Sequence, residues 1–531
     1  MLARCRSASL LGLEAAPVLV EVDLAPGLPG LQLVGLPDAA VQEARERVRA
    51  ALRNSGFSPP LVRVVVNLAP ADLRKEGPSF DLPIALALLA ASGQVPMEAL
   101  QGLWCVGELG LDGSVRAVRG ALAVAIAARE HGADRLLVPE ANAAEAALVG
   151  DLPIAGALSL RQVVEVLTGL KCWPSPGRTG SVDLRADEEG APDLADVNGQ
   201  AMGRRALEVA AAGGHHMLLV GPPGCGKTML ARRLAGLLPP LGREEALEIT
   251  RIHSVAGLLS GDGGLMRRRP FRAPHHSATA RSLLGGGAVP RPGEISLAHG
   301  GVLFLDELAE FPRSVLDQLR QPLEDGRIAI CRARHRFSFP CRMALIAATN
   351  PCPCGWYGDG QRPCRCGQAQ RERYWSRLSG PLLDRIDLQV VLRRLPAEAL
   401  TLAAPHPDLS GDIRPNGTTV RNGPVVCDGH DTATAADRVS RARARMVARN
   451  PGGVANAQIE DRHLQGLAGL SSEAGRLWSL SVQRRAMSAR SATRLLRVAR
   501  TLADLDDAST VEGHHIAEAL SFRSFDLPMD G

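Results

Sequence analysis

Aromatic side chains are scarce in this chain: two tyrosines, nine phenylalanines and five tryptophans among 531 residues. Alanine, valine and leucine must therefore fill its interiors. No apolar run reaches the roughly 20 residues of a helical membrane span, which excludes an embedded helical protein. The opening Met1-Leu2-Ala3-Arg4-Cys5-Arg6 leads into strand-like alternation without an apolar signal core or cleavage site, so no export is expected. Eleven cysteines scattered over so long a chain do not suggest a disulfide scaffold, and a reduced, cytoplasmic setting is expected. There is no internal repeat. Lysine is nearly missing, with three against 58 arginines. Such an arginine and alanine bias is what GC-rich coding produces, so the formal charge of +5 does not by itself point to nucleic acid.

One of the three lysines, Lys227, sits in Gly221-Pro222-Pro223-Gly224-Cys225-Gly226-Lys227-Thr228, which fits the phosphate-binding loop G-x-x-x-x-G-K-[ST] at every fixed position. A compact ammonium reaches β- and γ-phosphates in a slot too narrow for a guanidinium fork. The flanks agree. His216–Val220 reads as a short buried strand, and Met229 opens a helix through Leu234, so backbone N–H groups and a helix N-terminus surround the phosphates. Gly221 to Met229 is the expected nucleotide-binding stretch, and Cys225 reads as a small filler whose oxidation would block ATP.

The length allows roughly two to four domains. Residues 1–171 alternate strands (Val18–Leu24, Leu31–Val34, Val62–Asn67, Leu103–Gly107) with helices (Asp38–Asn54, Leu82–Ala91, Val118–Glu130), which predicts a compact α/β domain. Residues 172–191, rich in Pro, Gly, Ser and charge, read as a linker. A second α/β region at 192–395 holds the phosphate loop. An irregular connection follows at 396–433, then a helical region at 434–531 with helices at Ala435–Arg449, Asp461–Leu467, Ser472–Leu480 and Ala489–Ala503.

Downstream of the loop, Gly301-Val302-Leu303-Phe304-Leu305-Asp306-Glu307 reads as a buried strand ending in two carboxylates. With Thr228 as a direct Mg²⁺ ligand, Asp306 would hold the ion's water shell and Glu307 would orient and polarise the attacking water. Ala344–Asn350 is a further strand. In a parallel sheet its tip, Asn350, would lie beside Asp306 and hydrogen-bond the water or the γ-phosphate. Arg385 ends a short apolar segment and Arg490 lies on the basic C-terminal helix. Both are candidates for stabilising charge on the phosphoryl group, from a neighbouring subunit and from a lid. In so arginine-rich a chain, a solvated surface is the competing reading for each.

In this order the segments resemble an AAA+ module, with Walker A, Walker B, sensor 1, arginine finger and sensor 2. Asp193–Gln200 resembles the stretch that contacts adenine in such modules. Pro270-Phe271-Arg272-Ala273-Pro274-His275-His276, Arg291–His299, Gln321–Gly326, Asn350–Gly355 and Asp81–Leu86 look like the ComM/YifB family of Mg-chelatase-like AAA+ ATPases. The stretch 396–432 has no counterpart. The resemblance implies an AAA+ P-loop core on a parallel sheet, a C-terminal helical lid, ATP with Mg²⁺, and a homo-oligomeric ring, a hexamer. It also implies work on single-stranded or branched DNA: branch migration or helicase-type remodelling in recombination or DNA uptake. A protein-remodelling or metal-insertion ATPase like the chelatase subunit is the alternative. Two insertions are implied, around Leu258–His299 and at the hairpin Arg327–Phe339. In the hairpin, Ile328/Ile330 and Phe337/Phe339 alternate about a turn carrying Arg332, Arg334, His335 and Arg336. That tip suits phosphate contacts without base reading, or it is a solvated turn.

Residues 1–171 resemble the Lon protease domain, an S5 domain 2-like fold, on Gly77-Pro78-Ser79 and Gly107-Glu108-Leu109. A peptidase of that type would need a lysine-activated serine. The resemblance puts Ala44 at the serine position and Leu122 near the lysine position, with Lys75 elsewhere, so no protease site is expected. Arg45, Arg47, Arg49 and Arg53 on one helix are candidates for a partner or nucleic acid, and a solvated face explains them as well.

Cys352, Cys354, Cys364 and Cys366 form two C-x-C pairs. Four thiolates at this spacing could wrap one tetrahedral structural Zn²⁺, while reduced loop thiols or a redox clip are the alternatives. A catalytic metal is not expected, since four sulfur ligands leave no open position.

Overall fold

A computed structural model describes residues 1–173, 192–259, 264–287, 290–332, 335–394 and 431–523. At the N-terminus, period-2 alternation produces strands Leu2–Leu11 and Glu14–Ala25, paired antiparallel across a turn in which Gly12 has φ +66°. Ala3, Cys5, Val18, Val20 and Val22 face inward and are buried. The domain's seven-stranded mixed sheet runs in the order Gly30–Val34, Arg63–Ala69, Glu14–Ala25, Leu2–Leu11, Leu103–Cys105, Arg135–Pro139, Ile154–Ala157.

Asp38 Oδ1 accepts the Val41 N–H at 2.8 Å and starts the helix Ala39–Asn54. The helix Asp81–Ala91 is apolar on every side and buried on every side. The helix expected from Val118 begins instead at Ala121, because Gly120 takes a left-handed conformation (φ +69°). Two strands, Arg135–Pro139 and Ile154–Ala157, and two helices, Glu140–Ala147 and Leu160–Leu167, were not foreseen from the pattern.

The region that carries the phosphate-loop motif is a five-stranded parallel sheet in the order Phe271–Arg272, Val302–Leu305, Ala344–Thr349, Met217–Val220, Leu388–Val391. Its central strands are covered on both faces, which is why they read as unbroken apolar runs. The C-terminal helices Thr432–Arg449, Asp461–Ala468, Ser472–Arg484, Ala489–Leu505 and Gly513–Ser521 pack onto it. Met217, Leu219, Ile346 and Ala348 of the sheet share one apolar cluster with Val439, Leu495 and Leu502 of these helices. A buried polar contact joins the same parts: His215 lies 2.8 Å from Asp387 Oδ2 through Nδ1 and 2.9 Å from Thr501 Oγ1 through Nε2.

The N-terminal domain seats against the parallel-sheet region through Leu122 and Leu148, which meet Leu241, Ala246 and Ile249. Below them Glu145 accepts from the Ser254 hydroxyl and, at 3.0 Å, from the Leu122 N–H. The hairpin expected at 327–339 is formed by Arg327–Arg332 and His335–Pro340, with Ile328 opposite Phe339 and Ile330 opposite Phe337. It is rooted in two domains. Ile328 and Phe339 are buried with Leu13, and a Cβ on Gly12 would lie 3.0 Å from the Phe337 ring.

Candidate active site

Parallel strands deliver their C-terminal tips to one edge of the sheet, where open α/β folds place ligands. The strand Ala344–Thr349 lies between Met217–Val220 and Val302–Leu305, with Thr349 opposite Val220 and Ala347 opposite Leu305. Asn350 therefore sits between the phosphate loop and the two carboxylates. The loop begins with the Gly221 N–H donating to the Thr349 carbonyl at 3.2 Å. It turns through Gly224 (φ +77°) and Gly226 (φ +93°), conformations that favour glycine. A Cβ on Gly221 would lie 2.7 Å from the Leu392 carbonyl oxygen. These three glycines make the cradle that a phosphate needs, and the helix Lys227–Leu237 starts from it.

Lys227 Nζ donates to the carbonyls of Gly221 (2.7 Å) and Pro222 (3.1 Å) and to Asn350 Oδ1 (3.1 Å). Burial lowers its pKa, opposed by the charges of Cys225, Asp306 and Glu307. Thr228 Oγ1 donates to Asp306 Oδ2 at 2.9 Å, and the Glu307 N–H donates to Asp306 Oδ1 at 2.9 Å. Glu307 is held at φ +53°, a sparsely populated conformation for a residue with a side chain. Cys225 is buried, and burial pushes its thiol up, which fits a filler rather than a nucleophile. Met229, at the start of the helix, is exposed.

Lys227, Thr228, Asp306, Glu307 and Asn350 thus converge. The two candidate arginines stand outside that network. Arg385 pairs with Glu324 and donates to the Pro381 carbonyl, and Arg490 is exposed in the first turn of Ala489–Leu505. In the hairpin, Arg336 is exposed opposite Cys331. Arg332 belongs to the facing strand, and Arg334 lies outside the described residues, as do 174–191 of the expected linker and 396–430 of the irregular connection.

Three contacts were not read from the sequence. His276 Nδ1 lies 3.1 Å from Glu307 Oε2; His275-His276 was noticed only as part of a motif. Gln200 Nε2 donates to the Cys225 carbonyl at 3.1 Å, tying the Asp193–Gln200 segment to the loop. Asp193 Oδ1 accepts the Thr432 N–H at 2.8 Å, so the same segment also holds the first helix of the lid.

In the N-terminal domain the two echoed motifs do meet. The Gly107 N–H donates to the Ser79 carbonyl (2.9 Å), and the Leu109 N–H donates to Asp81 Oδ2 (3.2 Å). Buried Asp81 is forked by Arg47, with Nε at 2.6 Å and Nη2 at 3.0 Å, which takes Arg47 out of the set of free basic residues. Ala44 and Leu122 are sealed in different apolar clusters, and buried Lys75 donates to the Pro70 carbonyl.

The four cysteines form one group whose sulfur atoms all lie within 4.8 Å of one another. Cys352 lies 3.4 Å from Cys354 and 3.6 Å from Cys364, and Cys354 lies 3.6 Å from Cys364.

Family models of the magnesium chelatase subunit ChlI match residues 193–400 and, separately, 20–142, and a model of the ChlI C-terminal part matches 429–523. The chain is 44% identical over 526 residues to Rv2897c of Mycobacterium tuberculosis, covering 98% of each chain. It is 43% identical over 516 residues to YifB of Escherichia coli, covering 97% of this chain and 96% of YifB. Competence protein ComM of Haemophilus influenzae is 40% identical over 523 residues, covering 98% of this chain and 96% of ComM.

Proposed function

Because the chain belongs to the ComM/YifB family of Mg-chelatase-like AAA+ ATPases, we propose that it is a hexameric ring motor that remodels DNA by branch migration or helicase-type unwinding. ATP binds in the glycine cradle, with Lys227 turned to the β- and γ-phosphates. The oxygens of Thr228 and Asp306 are hard donors suited to Mg²⁺, which supplies charge neutralisation at the phosphates when bound. Glu307 orients the attacking water and draws its proton, and Asn350 fixes the water's position from between the two strands. Arg385 from the neighbouring chain and Arg490 from the lid stabilise charge on the phosphoryl group as it transfers.

The observation that carries the DNA reading is the hairpin Arg327–Pro340. Its root is packed against both the sheet region and the N-terminal domain, its far end carries Arg332 and Arg336, and the sequence between them adds Arg334. Guanidinium groups on a rigid ribbon suit a phosphate backbone and carry no base preference. The second reading, a chelatase-like protein-remodelling or metal-insertion ATPase, draws on the ChlI matches along the chain. The four thiols hold one structural Zn²⁺, because three mutual sulfur contacts suit a central ion better than a single disulfide.

ATP turnover measured with and without a four-way junction, with Lys227→Ala as control, separates the two functions. Stimulation by DNA is expected; indifference to single-stranded, duplex and branched DNA alike would sink the DNA reading.

A further inference from the structure

The four-cysteine loop does not stand apart from the nucleotide site. It leaves Asn350, whose side chain accepts from Lys227 at 3.1 Å, and two residues later enters the sulfur cluster at buried Cys352. Trp375 Nε1 donates to the Pro351 carbonyl at 3.0 Å and holds the first step of that path. After Cys354 the chain turns at Gly355 (φ +81°), where a Cβ would lie 2.7 Å from Pro223 Cδ. The loop's backbone therefore presses on the second proline of the phosphate loop, with no room for a side chain between them.

The next residue, Trp356, is linked to the same proline through Arg394. The Trp356 indole stacks with the guanidinium groups of Arg362, at 4.7 Å, and Arg394, at 4.9 Å. Arg394 in turn donates to the Pro223 carbonyl at 3.4 Å. Such cation–π stacks favour a fixed ring orientation. Arg362 lies two residues before Cys364 and Trp356 two after Cys354, so the position of their stack depends on how the two C-x-C pairs are drawn together. Four thiolates about a tetrahedral ion, each about 2.3 Å from it, are about 3.8 Å apart; the contacts of 3.4–3.6 Å between Cys352, Cys354 and Cys364 approach that spacing.

We infer that the four-cysteine loop is a strut for the phosphate-binding loop, set by one thiophilic divalent cation, so that ATP affinity depends on an ion that never touches the nucleotide. This rests on the Zn²⁺ reading above and adds a task to it. Without the ion, the 352–366 stretch loses the tie between its two C-x-C pairs. Gly355 and Trp356 then cease to hold Pro223, and the glycine cradle must be ordered by the nucleotide itself. A cost of that kind lowers binding rather than the rate of the bound state.

The test uses the full-length chain and two readouts: zinc per chain by atomic emission, and affinity for a fluorescent ATP analogue. The wild type should carry about one Zn²⁺ per chain. Cys364→Ser with Cys366→Ser should carry none and bind the analogue roughly tenfold more weakly. Trp356→Ala should keep the ion, and thereby the folded loop, yet still bind about threefold more weakly. If the wild type holds zinc while both variants bind the analogue as tightly as it does, the strut is wrong and the ion reading survives. If the wild type holds no thiophilic ion, the ion reading fails and the strut with it.

Discussion

In the ATPase sheet, three parallel strands end at one edge, and their tips bring Lys227, Thr228, Asp306, Glu307 and Asn350 into a network of contacts near 3 Å. In the N-terminal sheet, Ala44 and Leu122, which the Lon resemblance puts at or near the positions of a serine and a lysine, are buried in separate apolar clusters, and the polar pair beside the echoed motifs is Arg47 on Asp81. Both regions are α/β. What separates them is whether polar side chains are left at strand ends with a backbone cradle beside them, or are turned inward to fasten loops. Fold alone does not carry chemistry.

The contrast can be broken at either end. Lys227→Ala and Glu307→Gln should each lower ATP turnover by about 10² or more, measured as phosphate release by chains that still fold. Arg47→Ala should do the reverse. It leaves buried Asp81 without its partner, so unfolding in urea should show a loss of about 3 kcal/mol, while turnover per folded molecule stays within about twofold. A collapse of turnover in folded Arg47→Ala would mean that the N-terminal domain takes part in catalysis.

A third expectation concerns pH. Burial, aided by the charges of His215 and Arg494, holds the His216 imidazole down to about 4 against the pull of Asp387. Its Nδ1 accepts the Leu345 N–H at 3.1 Å, which requires the neutral ring. The unfolded chain, with an ordinary value of 6.5, takes up a proton at higher pH than the folded one. The stabilisation is therefore complete above about pH 6.5 and is lost as pH falls toward 4, up to about 3 kcal/mol and less for a half-buried ring. His216→Asn, which keeps an acceptor but cannot titrate, should flatten denaturation midpoints between pH 7 and 5. The smallest effect is expected for His276→Ala, which frees Glu307 from its 3.1 Å contact. A change in kcat of a few-fold with KM for ATP unaltered would identify His276 as a positioning residue.

The convergence of Lys227, Thr228, Asp306, Glu307 and Asn350 was legible because phosphate chemistry tolerates few residue types: a glycine cradle, one lysine, a carboxylate pair after an apolar strand. The helical lid was legible from its period. His276 was not, because it reaches Glu307 only through the pairing of Phe271 with Val302, a register that no local pattern encodes. The Asp193–Thr432 contact spans 239 positions and is equally silent in the sequence. Arg135–Pro139 and Ile154–Ala157 were missed because short buried strands of a parallel pairing carry no alternation. Arg47 was read as a free cation because burial of Asp81 cannot be seen from the helix that carries Arg47.

Sharing of each ATP between neighbouring chains is the claim on which the motor reading turns, and a mixing experiment addresses it directly. Lys227→Ala and Arg385→Ala chains, each inactive alone, are combined in equal amounts and turnover is measured. If one chain cradles the triphosphate and the next supplies the guanidinium, about a quarter of the interfaces in mixed rings regain both parts and turnover returns in proportion. Turnover that stays at the level of the separate variants, in material shown by light scattering to form mixed rings, would contradict the shared site.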